Sequence, residues 1–247
     1  MRSLDRIGRA FEMGLYEYAR TPVLLGLLLF LPAYFIGMFA YVLPASEMPI
    51  TVPGDGRQLV ATADLYGVLL VPLLAGLIGG IAGLFLMQTA READARLVRA
   101  GYRPSQVIAA RFALLVVASV VATAVALAVL SVTFVPESPA AFVAASVLAG
   151  LIYGLVGVLA GLVAGRLAGV YTMLFVPMLD VFFLQNPTVE NRLWIAPYLP
   201  GHAVTELAAD AGFSTDVALA PFAEGLGMLF VAAVLATAAF YRTARVR

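Results

Sequence analysis

Residues 65–90 read LYGVLLVPLLAGLIGGIAGLFLMQTA, 26 positions bounded by Asp64 and Arg91 with no charged side chain between them. An α-helix rises about 1.5 Å per residue, so roughly 20 apolar residues cross the ~30 Å hydrocarbon core of a bilayer. This stretch is long enough to cross as one helix. A membrane β-strand would need about ten residues of alternating polarity, and the run is continuous instead.

Outward from it, the pattern repeats. Arg20 and Glu47 bound 26 uncharged residues, Arg111 and Glu137 bound 25, and Glu137 and Arg166 bound 28. Two weaker runs follow: 167–184 is apolar except for Asp180, and 217–241 carries Glu224 near its start. The whole chain is 62% hydrophobic and 12% charged, about half the charge of an ordinary soluble domain, with a mean hydropathy of +0.97. The expectation is an all-α polytopic membrane protein. It would be a single transmembrane domain over 1–247, with six transmembrane helices near 22–43, 65–88, 107–132, 141–165, 167–185 and 217–241.

Arginine placement sets the expected orientation, because basic residues gather on the cytoplasmic side. With the N-terminus inside, the inner segments hold Arg2, Arg6, Arg9, Arg20, Arg91, Arg96, Arg99, Arg103, Arg111, Arg166, Arg242, Arg245 and Arg247, which is 13 of 15. Only Arg57 and Arg192 fall outside. A multi-pass plasma-membrane protein with both termini cytoplasmic is therefore expected. The start is charged and amphipathic, and no small-residue cleavage pattern ends the first apolar run, so no cleavable signal peptide is expected.

Composition also limits the chemistry. No cysteine is present, and all 15 basic residues are arginine. Thiolate catalysis, disulfides, a P-loop lysine and a Schiff-base lysine are therefore excluded. A formal net charge of zero implies no bulk attraction to nucleic acid. His202 is the single histidine, and alone it makes a poor zinc site. A non-catalytic chain is expected.

Between the runs, 3–19 reads as an amphipathic helix. Leu4, Ile7, Phe11, Leu15 and Tyr18 share one face and Asp5, Arg6, Arg9 and Glu12 the other, the pattern of a helix lying in the membrane interface. Thr21 and Pro22 suit the cap and first turn of the opening span. The inner segment 89–106 holds Arg91, Glu92, Asp94, Arg96, Leu97 and Arg99 before Gly101 and Pro104. It reads as a short charged helix between two spans, either docking on a cytoplasmic partner or simply solvated. The outer segment 44–64, with Pro44, Pro49, Pro53 and the Gly54-Asp55-Gly56 turn, reads as irregular. The outer segment 186–216 reads as extracellular, with a short helix from Gly201 to Ala211 whose Glu206 and Asp210 suit an outward surface.

Inside the runs, Gly150, Gly154, Gly157, Gly161 and Gly165 are spaced 4, 3, 4 and 4. Gly76, Gly79, Gly80 and Gly83 form a shorter stripe. Small residues let membrane helices approach closely, so both stripes read as packing faces. Asp180 and Glu224 are the polar candidates for a transport pathway, since an intramembrane carboxylate is costly unless it faces water or a partner. Asp180 equally suits an outer-mouth residue or the cap of a short helix.

Taken in order, these features resemble the permease of type-2 ATP-binding-cassette transporters, over nearly the whole chain. The resemblance rests on the interfacial helix, six spans, the charged inner loop, the tight Gly165-Arg166-Leu167 hairpin and the outer segment with a short helix before the last span. Arg91-Glu92, Pro104-Ser105 and Arg111 match the family's inner loop in kind. The family's frequent Gly-Thr-Leu-Glu stretch is replaced by Ala93-Asp94-Ala95-Arg96. The resemblance implies an exporter permease subunit that binds no cofactor itself. It implies a separate cytoplasmic ATPase carrying ATP and Mg, docked around Arg91–Arg99 through Glu92, Asp94 and Arg96, and a second permease chain.

Two other readings stay open on the residues alone. An ion-coupled secondary transporter or channel would use Asp180 and Glu224 as coupling groups. A scaffold subunit would need neither.

Overall fold

The structure, a computed structural model, describes residues 3–20, 22–44, 46–52, 56–99, 101–189 and 193–245; the side chains of 89–99 lie outside the description. Helix α1 covers Ser3–Ala19, α2 Pro22–Val42, α3 Thr62–Arg99, α4 Pro104–Leu130, α5 Pro139–Val163, α6 Arg166–Pro177, α7 Gly201–Phe213 and α8 Leu219–Arg245. Among the described residues, six helical stretches are long and apolar enough to cross a membrane: 25–42, 62–88, 105–130, 139–163, 166–184 and 219–242. Thr21, expected to cap α2, lies outside the described residues.

The quoted stretch forms the axis of the molecule. Every residue of α3 from Gly67 to Met87 is buried, and α2, α4, α5, α6 and α7 all pack on it. Its most extensive partner is α5, and glycines explain why. A Cβ on Gly79 or Gly83 would collide with the carbonyl oxygen of Gly150 or Gly154, and one on Gly157 with that of Gly80. Backbone therefore lies on backbone at three successive levels, an approach that only residues without a side chain allow. Gly161 meets Met87 and the Leu84 carbonyl, and Gly150 also meets Ser119 of α4. Gly165 does not share these contacts: no atom of the described residues lies within 4 Å of its Cβ position. It precedes α6 in extended conformation instead, at the hairpin where Arg166 stacks over Phe85 (5.1 Å). There the Gln88 amide also donates to the Ala164 carbonyl (3.1 Å).

The outer segment 44–64, expected to be irregular, needs one correction. Glu47–Val52 and Gly56–Ala61 are antiparallel strands β1 and β2, with Glu47 opposite Ala61 and Val52 opposite Gly56. Ile50, Val52 and Val60 seat on Leu65 and Leu69 at the start of α3. Pro49 is tolerated because a two-stranded ribbon has only edges. Of the turn expected at 54–56, only Gly56 is described, and its φ of +79° is a left-handed value that suits glycine.

The inner segment needs another correction. Among the described residues no separate short helix lies between the two spans. Helix α3 runs unbroken from Thr62 to Arg99, so the charged residues extend the central helix itself. The chain then reverses at Gly101 (φ +90°), and α4 opens at Pro104 with the Gln106 side chain accepting the Arg103 N–H (3.0 Å).

Helix α1 lies along α4. Its seat is made by Ala10 and Gly14, both buried, with Ile7 and Phe11 half-buried beside them. Leu15, placed on the apolar face by its spacing, is exposed, as are Met13 and Tyr16.

Candidate functional site

Helix α6 is apolar until Pro177. A proline has no N–H to return to the carbonyl four residues back, here that of Met173. Immediately beyond it, Met178–Leu184 winds as a π-helix, a local widening frequent at functional positions. Asp180 sits in that turn and is 4% exposed. The widened turn is wedged by aromatic rings: Phe182 packs on Tyr66 of α3 (5.4 Å between centroids) and on Phe39 of α2 (5.9 Å).

Three donors converge on the Asp180 carboxylate. The Tyr153 hydroxyl from α5 donates to Oδ2 at 2.7 Å, the Gly201 N–H at the start of α7 donates to Oδ2 at 2.8 Å, and Gln185 Nε2 donates to Oδ1 at 3.2 Å. The negative group thus faces the N-terminus of α7, where backbone N–H groups are unpaired and the helix dipole favours it. Residue 201 must be glycine here. A Cβ would stand 2.8 Å from the Tyr153 hydroxyl and 2.9 Å from Asp180 Cγ.

The network continues outward. Gln185 Nε2 also donates to the Ala196 carbonyl (2.7 Å), which fixes the amide orientation, and His202 Nδ1 meets Gln185 Oε1 at 3.0 Å. An amide oxygen only accepts, so Nδ1 carries the proton. Nε2 then faces Glu206 at 3.7 Å. Asn186 closes the segment by accepting the Thr188 N–H (3.1 Å) and hydroxyl (2.8 Å).

Helix α7 departs from its expected outward position. Asp210 is fully buried rather than on an outer surface, and α7 packs against α3, α5 and α8. Both its ends are satisfied, as burial of a helix end requires. Asp180 takes the first N–H. At the other end Glu137 and Ser138 donate their N–H groups to the Gly212 (3.2 Å) and Ala211 (2.9 Å) carbonyls, and Asp210 Oδ2 accepts the Ala218 N–H (2.7 Å).

The two polar pathway candidates are not brought together. Asp180 is enclosed between α5 and α7, whereas Glu224 is exposed on α8, next to the buried Gly225, which packs toward Leu148 and Ala203. The docking candidates Arg91, Glu92, Asp94, Arg96, Leu97 and Arg99 lie on the extension of α3, their side chains outside the description. Residue spacing does not point to Tyr153, Gln185 or Gly201, although a polar Tyr153 inside the Gly150–Gly154 stripe is a signal in the sequence. Among the described residues no three His, Asp or Glu side chains group as a metal site. Chemically, the Asp180 arrangement is a latch: a fully engaged carboxylate that ties α5, the π-turn and α7 together.

No protein-family model matches the chain, and no curated protein matches it in sequence.

Proposed function

We propose that this chain is the membrane-spanning permease subunit of an ATP-binding-cassette exporter. Six helices cross the plasma membrane with both termini in the cytoplasm, and α1 lies in the cytoplasmic interface. A separate ATPase chain binds ATP and Mg, and a second permease chain completes the pathway. The cargo leaves the cytoplasm when the two halves rock.

The continuity of α3 carries this reading. The residues beyond Gln88 extend the most enclosed helix by 11 residues, 89–99, about 16 Å at helical rise. A force on this charged arm therefore acts on the helix against which most others pack, without a flexible joint between. An ATPase-driven subunit needs such a rigid lever. The ion-coupled alternative has less support, because Asp180 already accepts three hydrogen bonds in a closed setting and Glu224 stands apart from it.

Charge reversal at Glu92, Asp94 and Arg96 tests the proposal. The triple variant is expected to insert normally, to lose co-purification with a soluble Walker-motif ATPase and to lose ATP-coupled transport. Unchanged coupling would refute the docking assignment, and transport on an ion gradient without any ATPase would refute the permease reading.

A further inference from the structure

Helices α4 and α8 both pack on α5 but barely on each other. The gap between them is an apolar cleft at the arginine-rich end of the molecule. One wall is Arg111, Phe112 and Leu115 of α4, and the other is Ala233, Ala236 and Thr237 of α8. The two helices run antiparallel, so Ile108 and Phe240 line one end of the cleft, Arg111 and Thr237 lie about one turn further along, and Leu115 and Ala233 lie beyond them. The alanines leave the space, since larger side chains on that face of α8 would close it.

Arg111 gives the cleft a polar end. Its guanidinium lies against α1: the Cβ position of Gly14 is 3.3 Å from Nη1. An amphipathic helix of this kind lies at headgroup level, so Arg111 does as well. A guanidinium has five donors in a planar fork that matches phosphate. Basic pockets between helices at this depth suit acidic lipid headgroups.

We propose that the α4–α8 cleft binds an anionic phospholipid from the arginine-rich leaflet, its phosphate on Arg111 and Thr237 and one acyl chain between Phe112, Leu115 and Ala233. The inference needs only that the six helices cross a bilayer, not that an ATPase drives them.

Tryptophan quenching tests it. With Trp194→Phe removing the single native tryptophan, Phe112→Trp reports on the cleft and Phe175→Trp, on exposed α6, reports on the general lipid surface. The protein is reconstituted with brominated phosphatidylglycerol in phosphatidylcholine, or the reverse. One arginine near the surface favours an anionic lipid about fivefold. The cleft reporter should therefore be half-quenched at about a fivefold lower fraction of the brominated anionic lipid, and the α6 reporter at equal fractions. Arg111→Gln should abolish the preference. Ala233→Leu, which fills the cleft and leaves Arg111 in place, should reduce quenching by both lipids. Equal quenching of the cleft reporter by the two lipids with Arg111 intact would overturn the proposal, without needing any Arg111 variant to fold. The same preference at both reporters, or a preference surviving Arg111→Gln, would also overturn it.

Discussion

Replacing Gly157 by alanine adds one methyl group where α5 crosses α3 backbone to backbone. Its carbon would collide with the Gly80 carbonyl oxygen and stand 2.8 Å from the carbonyl carbon and 3.1 Å from Gly80 Cα. None of these atoms belongs to a side chain that can rotate away, so α3 and α5 must separate. Separation loosens the two neighbouring contacts as well, Gly79 on Gly150 and Gly83 on Gly154. Overpacking of this kind costs about 1–3 kcal/mol, and the rigid obstacle places Gly157 at the upper end. Alanine favours a helix interior over glycine by about 1 kcal/mol, which offsets part of that. The net expectation is about 2 kcal/mol of destabilisation, more than a tenfold change in the unfolding equilibrium. Gly227→Ala on α8 is the matched comparison, because nothing lies within 4 Å of its Cβ position and only the helix preference remains. The assay is reversible unfolding in mixed micelles of rising SDS fraction. If Gly157→Ala unfolds at the same SDS fraction as Gly227→Ala, the backbone contact between α3 and α5 is not as described.

Asp180→Ala leaves the Tyr153 hydroxyl and the Gly201 N–H buried without their acceptor, at about 1–3 kcal/mol each, so a loss of about 3–4 kcal/mol is expected in the same assay. Tyr153→Phe removes one donor and leaves two, so its loss should be about 1 kcal/mol; equal losses for the two variants would contradict the latch. In the hairpin, Ile50→Ala should cost about 2–4 kcal/mol because Ile50 is 1% exposed, while Leu59→Ala, at 67% exposed, should change little. Because the chain has no cysteine, single cysteines report topology without background. A cysteine at Ala95 should react with an impermeant maleimide only after the cells are opened, and one at Arg57 in intact cells; the reverse would invert the proposed orientation.

The helices were legible because burial in hydrocarbon leaves a long uncharged run as its trace, and charges mark the ends. The hairpin at 47–61 was masked by prolines, although Met48, Ile50 and Val52 alternate with Pro49 and Thr51 as a half-buried strand should. The arm at 89–99 suggests a separate helix because charge begins at Arg91. Charge marks where the apolar run ends, not where backbone hydrogen bonding ends, and no glycine or proline intervenes before Gly101. Asp180 stands out for its cost, but two of its three donors come from residues 27 and 21 positions away along the chain and have no local signature.

By itself, then, the amino-acid order determined which segments are helical and apolar, and where the basic residues collect, because those are properties of one stretch at a time. Only the tertiary structure decided that α3 is the central helix, that its glycines face those of α5, and that α7 is buried rather than exposed. All six long helices are apolar on most sides, so hydrophobicity cannot rank them. What ranks them is steric fit between backbones and the pairing of buried polar groups, and both depend on segments far apart in the chain.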